Sequence, residues 1–154
     1  MQFAVYEMKA YIARVEGDIR IKCVPFEERF FEEYKRIYNE CFYEMRKCLD
    51  IKPYCVLSDY AQIKNNFKHI FLFIQDDILV GSVGCYENKI DDLFVNKQFQ
   101  GQGIGRQLLL WGMRYIRNNN DRPIHLHVAA WNKKAVELYK SVGFSITDTE
   151  IITK

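Results

Sequence analysis

Apolar residues recur along this chain with two different periods, and the switches between them predict most of its elements. Residues 70–75 and 78–86 are short apolar runs separated by Asp76-Asp77, a pattern that predicts two antiparallel strands joined at a tight hairpin tip. A second close connection at Glu87-Asn88-Lys89 leads into residues 90–95, the third strand of the same meander. Between Glu27 and about Met45, residues Phe30, Tyr34, Ile37, Cys41 and Phe42 fall at spacings of three and four, the period of an amphipathic helix. Pro53 breaks the next segment, and Ser58-Asp59 is placed to cap a second, short helix over residues 60–67. Further on, Ile104, Leu108, Trp111 and Tyr115 share one helical face, and the run Asn118 to Asn120 stops that helix before a strand at residues 124–130. Asn132 caps a last helix ending near Ser141. Beyond Gly143, residues 144–152 return as a final strand.

The amino-terminal region is less regular. Its first thirteen or so residues, from Phe3 to Val15, mix strand and helix signals and are read as an extra strand. Glu16-Gly17-Asp18 is a turn signal, after which Ile19, Ile21 and Cys23 alternate with Arg20 and Lys22 as in a half-buried strand. A strand, a helix and a strand in succession imply a right-handed parallel crossover, whereas the meander is antiparallel. The expected class is therefore α+β, with a mixed, mostly antiparallel sheet and helices on both sides.

Composition narrows the picture without changing it. The chain has 154 residues with 49% hydrophobic positions, which fits one domain over residues 1–154. The net charge of +2, with both signs interspersed, gives no case for nucleic acid. No apolar run approaches the roughly 20 residues that cross a bilayer, and no secretory pattern opens the chain, so a cytoplasmic protein without membrane association is expected, as monomer or homodimer. The five cysteines are an odd number at spacings that match no zinc pattern, and they are expected to be free, buried or half-buried thiols. His125 and His127 share one strand face, but two ligands do not make a metal site, and no metal is expected.

The segment that carries chemistry is Gln98-Phe99-Gln100-Gly101-Gln102-Gly103-Ile104-Gly105-Arg106, between a strand and a helix. Glycines at alternate positions let a ligand approach the backbone, and the first helical turn offers unpaired N–H groups and a partial positive charge, which together favour a phosphate. Arg106 adds a cation. Two other phosphate loops are ruled out by residue: Arg106 stands where the dinucleotide fingerprint needs its third glycine, and no Gly-Lys-Ser/Thr follows.

Over about half the chain, from Phe71 to Phe144, the sequence resembles the GNAT superfamily of acetyl-CoA-dependent N-acetyltransferases. Gln100-Gly101-Gln102-Gly103-Ile104-Gly105 is similar to the family's Gln/Arg-x-x-Gly-x-Gly/Ala signature, and Asn132, Ala135, Leu138, Tyr139, Gly143 and Phe144 are spaced as in its second block. The resemblance implies that the amides from Gln102 to Arg106 bind the coenzyme pyrophosphate and that Leu93, Phe94 and Val95 pair with the pantetheine arm like an added strand. It further implies that the two parallel strands splay apart to admit that arm. Asn132 caps its helix and is also a candidate coenzyme contact.

Acetyl transfer to an amine needs a neutral amine, an oxyanion donor and a proton for the departing thiolate. An alkylamine with a pKa of about 10.4 is neutral about once in 2,500 molecules at pH 7, a shortfall of roughly 4.6 kcal/mol, so a base or a water chain is expected. By family position Tyr139 is the general acid, and the backbone N–H of Leu93 is the donor to the thioester carbonyl. For the base, His127 occupies a position where some relatives carry a catalytic glutamate, while Asp91 and Asp92 compete from the neighbouring strand. Lys89 stands where histone-type members have their glutamate, a departure that argues against their mechanism. The implied activity is direct transfer from acetyl-CoA to a primary amine of a small molecule or peptide; a catalytically silent acyl-CoA sensor of the same fold is the alternative. The acceptor side is expected from about Tyr34 to Tyr60, with Glu40, Glu44, Asp50 and Asp59 among its charges.

Overall fold

A computed structural model describes residues 1–154. Its seven strands are β1 (Gln2–Ala10), β2 (Val24–Pro25), β3 (Ile70–Gln75), β4 (Ile78–Tyr86), β5 (Lys89–Val95), β6 (Ile124–Ala129) and β7 (Ser145–Thr153). The helices are α1 (Phe31–Cys48), α2 (Ile104–Asn119) and α3 (Lys133–Ser141). All strands lie in one sheet, in the order β2-β3-β4-β5-β6-β1-β7. Every pair is antiparallel except β5–β6, the two ends of the crossover through α2.

The meander forms because its turn residues accept the left-handed region: Asp76 and Asp77 have φ of 52° and 62°, as a two-residue hairpin turn of this hand requires. Both faces of β3 and β4 are covered, which is why these strands read as continuous apolar runs. Phe71, Val83 and Cys85 join Leu108, Leu109, Met113 and Ile116 of α2 in one core. On the other face Ile70, Leu72 and Leu79 meet Phe31, Tyr34 and Ile37 of α1. Tyr34 packs edge-on to Phe94 at 5.3 Å and to Phe26 at 5.4 Å, so α1 is fastened to the sheet by aromatic contacts directly behind β5.

Three expectations are corrected. Residues 19–23 make no strand; only Val24–Pro25 pair with β3. Their inner residues Ile19, Ile21 and Cys23 are half-buried as the alternation implies, but the extended chain is held by a side chain: Gln107 of α2 accepts from Arg20 N at 2.5 Å and donates to Asp18 O at 2.8 Å. Alternation reports one-sided burial of extended chain, whether or not a ladder is present. The helix expected over residues 60–67 is two 3₁₀ turns, Tyr60–Gln62 and Phe67–His69. The cap at Asp59 is real, accepting from Ala61 N at 3.0 Å, but Ile63 is the single buried residue of the stretch and cannot anchor a longer helix. Finally, the extra amino-terminal strand expected over residues 3–15 is present but ends at Ala10. β1 lies between β6 and β7, pairing with both, and separates two strands that are consecutive in sequence.

β5 and β6 are paired only at their start, where Lys89 faces His125 and His125 N donates to Asn88 O at 3.0 Å. Beyond this point they diverge, while the far edge of β6 stays paired with β1 from Val5 to Ala10. The fold thus opens a cleft in the middle of a continuous sheet.

Candidate active site

The divergence of β5 and β6 creates a cleft of about 870 Å³. Its walls are Asp91 to Val95 of β5, Leu126 to Ala129 of β6, the glycine loop, and the start of α3 with Asn132, Ala135, Leu138 and Tyr139. Tyr38, Phe42, Glu44 and Arg46 of α1 and Phe3 and Val5 of β1 close the other side. Of the residues proposed from sequence, Asp91, Asp92, Leu93, Phe94, Val95, Gln100, Gly101, Gly103, Ile104, Gly105, His127, Asn132 and Tyr139 all line it. Gln102 and Arg106 do not. The Arg106 guanidinium turns to the end of α3 and donates to Ser141 Oγ at 2.8 Å, so the cation expected beside the phosphate is engaged elsewhere and only the backbone of this residue serves the loop.

The loop has the geometry of an anion cradle. Gly101 and Gly103 both have φ of 82°, a region L side chains rarely adopt, and Gly103 is the N-cap of α2. A Cβ on either would meet nothing within 4 Å, so the space above the loop is open cleft. The first turn of α2 contains no acidic side chain, which leaves its N–H groups and the helix dipole for a ligand.

The wall opposite is shaped by a β-bulge. Between the pairs Ser82–Phe94 and Gly84–Asp91 the register shifts, so Asp92 and Leu93 together face Val83. Asp92 takes φ of 50°, and the backbone of Asp92 and Leu93 lies outside the regular ladder, on the wall of the cleft. Just below, Val95 O accepts from Gln100 Nε2 at 2.9 Å and from Cys41 Sγ at 3.1 Å. Burial pushes the Cys41 thiol up to about 11, so it is a hydrogen-bond donor and not a nucleophile at neutral pH.

The titratable groups divide by environment. Burial, reinforced by the Asp91 charge, pushes the Tyr139 phenol up to about 12, and its ring packs edge-on to Phe144 at 6.0 Å. Asp92 accepts from Tyr86 Oη at 2.7 Å and Tyr38 Oη at 3.4 Å. Burial and the neighbouring Asp91 raise its carboxyl above the usual range in spite of these two bonds. Asp91 is paired with Lys89 Nζ at 3.5 Å. His127 Nε2 lies 3.2 Å from Glu7 Oε2 of β1. Glu7, His125 and His127 bring their ligand atoms within 4.8 Å of one another, so the structure supplies a third candidate ligand where sequence offered two. Lys9 Nζ, 3.6 Å from Glu7 Oε1, and Lys89, opposite His125, flank this trio with positive charge that opposes a divalent ion.

Of the four acidic candidates for the acceptor side, only Glu44 lines the cleft. Glu40 pairs with Arg36 at 3.3 Å, Asp50 accepts from Tyr54 Oη at 2.8 Å, and Asp59 is a cap. The cysteine expectation holds for Cys23, Cys41 and Cys85, but Cys48 and Cys55 are exposed. Sequence reasoning missed Phe3, Val5 and Glu7. The segment mixes strand and helix signals, and which strand it faces depends on a pairing between residues more than a hundred positions apart.

Comparison with known proteins agrees with this architecture. The profile of the Acetyltransferase (GNAT) family matches residues 29–144. Mycothiol acetyltransferase of Nocardiopsis dassonvillei is 41% identical over 58 residues, 38% of this chain and 18% of that protein. Thialysine N-epsilon-acetyltransferase of Mus musculus is 37% identical over 62 residues, 40% of this chain and 36% of that protein. These alignments thus span well under half of either relative. In the solved structure of a GNAT-family acetyltransferase from Colwellia psychrerythraea, 98% of this chain superposes on 55% of that one with a TM-score of 0.74 at 12% identity, a likeness of fold. With the family profile running from the start of α1 to the end of α3, across the cleft and both of its defining blocks, the chain belongs to the GNAT acetyltransferase family.

Proposed function

We propose that the chain is an acetyl-CoA-dependent N-acetyltransferase acting by direct transfer on a primary amine of a small molecule or peptide. The observation that carries this reading is the convergence, in one cleft, of the left-handed glycine loop at the start of α2, the bulged edge of β5 and the Tyr139 hydroxyl. The names of the two acetyltransferase relatives, one of which specifies an N-epsilon amine, support a small-molecule acceptor.

In this reading the pyrophosphate sits on the N–H groups from Gln102 to Arg106, with Gly101 and Gly103 leaving room for it, and Asn132 closes the other side. The pantetheine arm lies along Leu93 to Val95. The acceptor enters between α1 and β1, past Tyr38, Phe42 and Phe3. His127 takes one proton from the ammonium, the freed lone pair attacks the thioester carbonyl carbon, and the carbonyl oxygen becomes an oxyanion held by Leu93 N–H. The C–S bond then breaks, the thiolate takes the proton of Tyr139, and the surplus proton of the attacking nitrogen returns to the phenolate. With the phenol at about 12 and a thiol near 8.5, a separate proton transfer is uphill by ~3.5 units, or ~5 kcal/mol, so the proton moves as the C–S bond breaks rather than afterwards.

Calorimetric binding of acetyl-CoA, followed by thiol release across a panel of primary amines, amino acids and amino-terminal peptides, tests the reading. Tight binding with amine-dependent release is expected. Binding with no release above hydrolysis for any amine would replace the enzyme by a coenzyme sensor.

A further inference from the structure

The first strand holds a polar residue that the reaction as outlined leaves unused. Glu7 is directly opposite His127 in the antiparallel β1–β6 pair, the closest cross-strand relationship that two side chains on one face can have. His127 Nε2 is 3.2 Å from Glu7 Oε2; Glu7 is half-buried, with 27% of its side chain exposed, and His127 is exposed at 45%. We infer that Glu7 is a positioning residue for His127: it holds the Nε2–H tautomer, leaves Nδ1 free to receive the acceptor's proton, and stabilises the imidazolium that results. This rests on the acetyl-transfer reading above and adds to it a residue and a strand.

Three further observations support the pairing as a device for handling a proton. First, His127 is on the stretch of β6 that has parted from β5, because the two strands pair only at Lys89 and His125, and its side chain lines the cleft. Second, the β1–β7 register shifts beside Glu7, where β7 carries the extra residue Thr147, whose Oγ1 donates to Glu7 O at 3.3 Å and ties the backbone that bears the carboxylate. Third, the surrounding charges are balanced. Lys9 lies on Glu7 Oε1, leaving Oε2 for the imidazole. His125 shares the face of β6 at 6.1 Å between ring centroids, Lys89 and Asp91 pair with each other on β5, Asp148 stands opposite Glu7 on β7, and Glu44 and Arg46 of α1 reach the cleft beside Asp92.

Protons and charges balance through one cycle. The acceptor ammonium gives one proton to His127 Nδ1, and Nε2 keeps its own proton beside the carboxylate, 3.2 Å away. The charge that leaves the amine is now an imidazolium facing a carboxylate. After attack the nitrogen still carries a second surplus proton, which leaves as the C–S bond breaks and restores the Tyr139 phenol that has protonated the thiolate; the amide product then carries no basic nitrogen, and the imidazolium loses its proton to water. Without Glu7 the ring is free to take either tautomer, and the cation loses its partner.

Two measurements separate this inference from the reading on which it rests. Long-range proton–nitrogen NMR of the histidine-labelled free protein reports the tautomer of His127 and needs no acceptor. The Nε2–H form is expected to dominate in wild type and to give way to a mixture in Glu7→Ala, while the backbone amide spectrum away from β1 and β6 stays in place. The second measurement is the pH dependence of kcat/KM with a primary amine that wild type turns over. Glu7→Gln, which is isosteric, should lose about 10- to 100-fold at neutral pH with an unchanged KM for acetyl-CoA. Glu7→Asp should recover part of the loss, and Glu7→Gln combined with His127→Ala should be no worse than His127→Ala alone. Unchanged tautomer populations in Glu7→Ala, or profiles of wild type and Glu7→Gln that superpose, would overturn the inference. An inactive wild type with the expected tautomer change would overturn acetyl transfer while leaving the positioning of His127 intact.

Discussion

The Tyr86 hydroxyl donates a 2.7 Å hydrogen bond to Asp92 Oδ2 across the β4–β5 hairpin, and the Tyr38 hydroxyl reaches the other oxygen from α1 at 3.4 Å. No cation lies against this carboxylate; Lys89 is bound to Asp91 instead. Burial therefore dominates, and the carboxyl titrates above its unfolded value. Between the unfolded and the folded value the native state holds the extra proton, so the contribution of Asp92 to stability falls as pH rises through that window and stays low above it. Asp92→Asn should raise the urea midpoint at pH 7 relative to wild type, with the difference shrinking towards pH 4. A lower midpoint for Asp92→Asn at pH 7 would show that the two phenol bonds outweigh the burial of the charge.

Tyr139→Phe keeps the ring against Phe144 and deletes one hydroxyl. A fall in kcat of roughly 10² to 10⁴ with unchanged acetyl-CoA affinity is expected for a general acid. Because the phenol is held at about 12, the wild-type rate should show no alkaline loss attributable to this group up to about pH 10. A variant that keeps more than half the wild-type kcat, with chemistry limiting, would make Tyr139 a packing residue.

Gly105 is a cleaner probe of the coenzyme cradle than Gly103. At Gly103 any side chain is strained by the positive φ, whereas a Cβ at Gly105 meets Val95 and Leu138 at ordinary distances of 3.7 and 3.9 Å. Gly105→Glu should weaken acetyl-CoA binding at least tenfold by placing a negative charge in the first turn of α2, and Gly105→Ala should leave the fold at least as stable. Calorimetry on both, with thermal melts as control, decides whether the loop binds the pyrophosphate.

Gln107→Leu removes both hydrogen bonds that hold the segment before β2 to α2, stranding Arg20 N beside an apolar surface. A loss of about 1 to 3 kcal/mol in urea unfolding is expected. Affinity for acetyl-CoA should change by less than about twofold, since this face of α2 lies away from the cleft.

Much of this protein is legible from local pattern because local chemistry dictates it. Asp76-Asp77 declares a hairpin, the alternating glycines declare a helix N-terminus that must stay bare, and Asn132 declares the start of α3, where it accepts from Ala135 N at 3.2 Å. Periodicity is silent where one element owes its position to a distant one. The resemblance gave the splay of β5 and β6. Neither it nor the mixed signals of residues 3–15 revealed that β1 would be inserted between β6 and β7, or that Glu7 would meet His127. Nor does sequence alone say that Arg106 turns to Ser141 and leaves the work of the loop to its backbone.

The position of β1 also sets the order in which the sheet is completed. Of its seven strands β1 is synthesised first, yet both of its partners, β6 and β7, are synthesised last, and Met1 and Lys154 exchange hydrogen bonds at 2.9 and 2.8 Å when the sheet closes. While the four strands β2 to β5 emerge it waits as an unpaired apolar segment, and the wall that carries Glu7 exists only once the chain has returned to β1. A nascent chain stopped between residues 107 and 124 has the glycine loop and the bulged strand but neither His127 nor the pairing that brings Glu7 to it, so the return of the chain to β1 is also the step that assembles this side of the cleft.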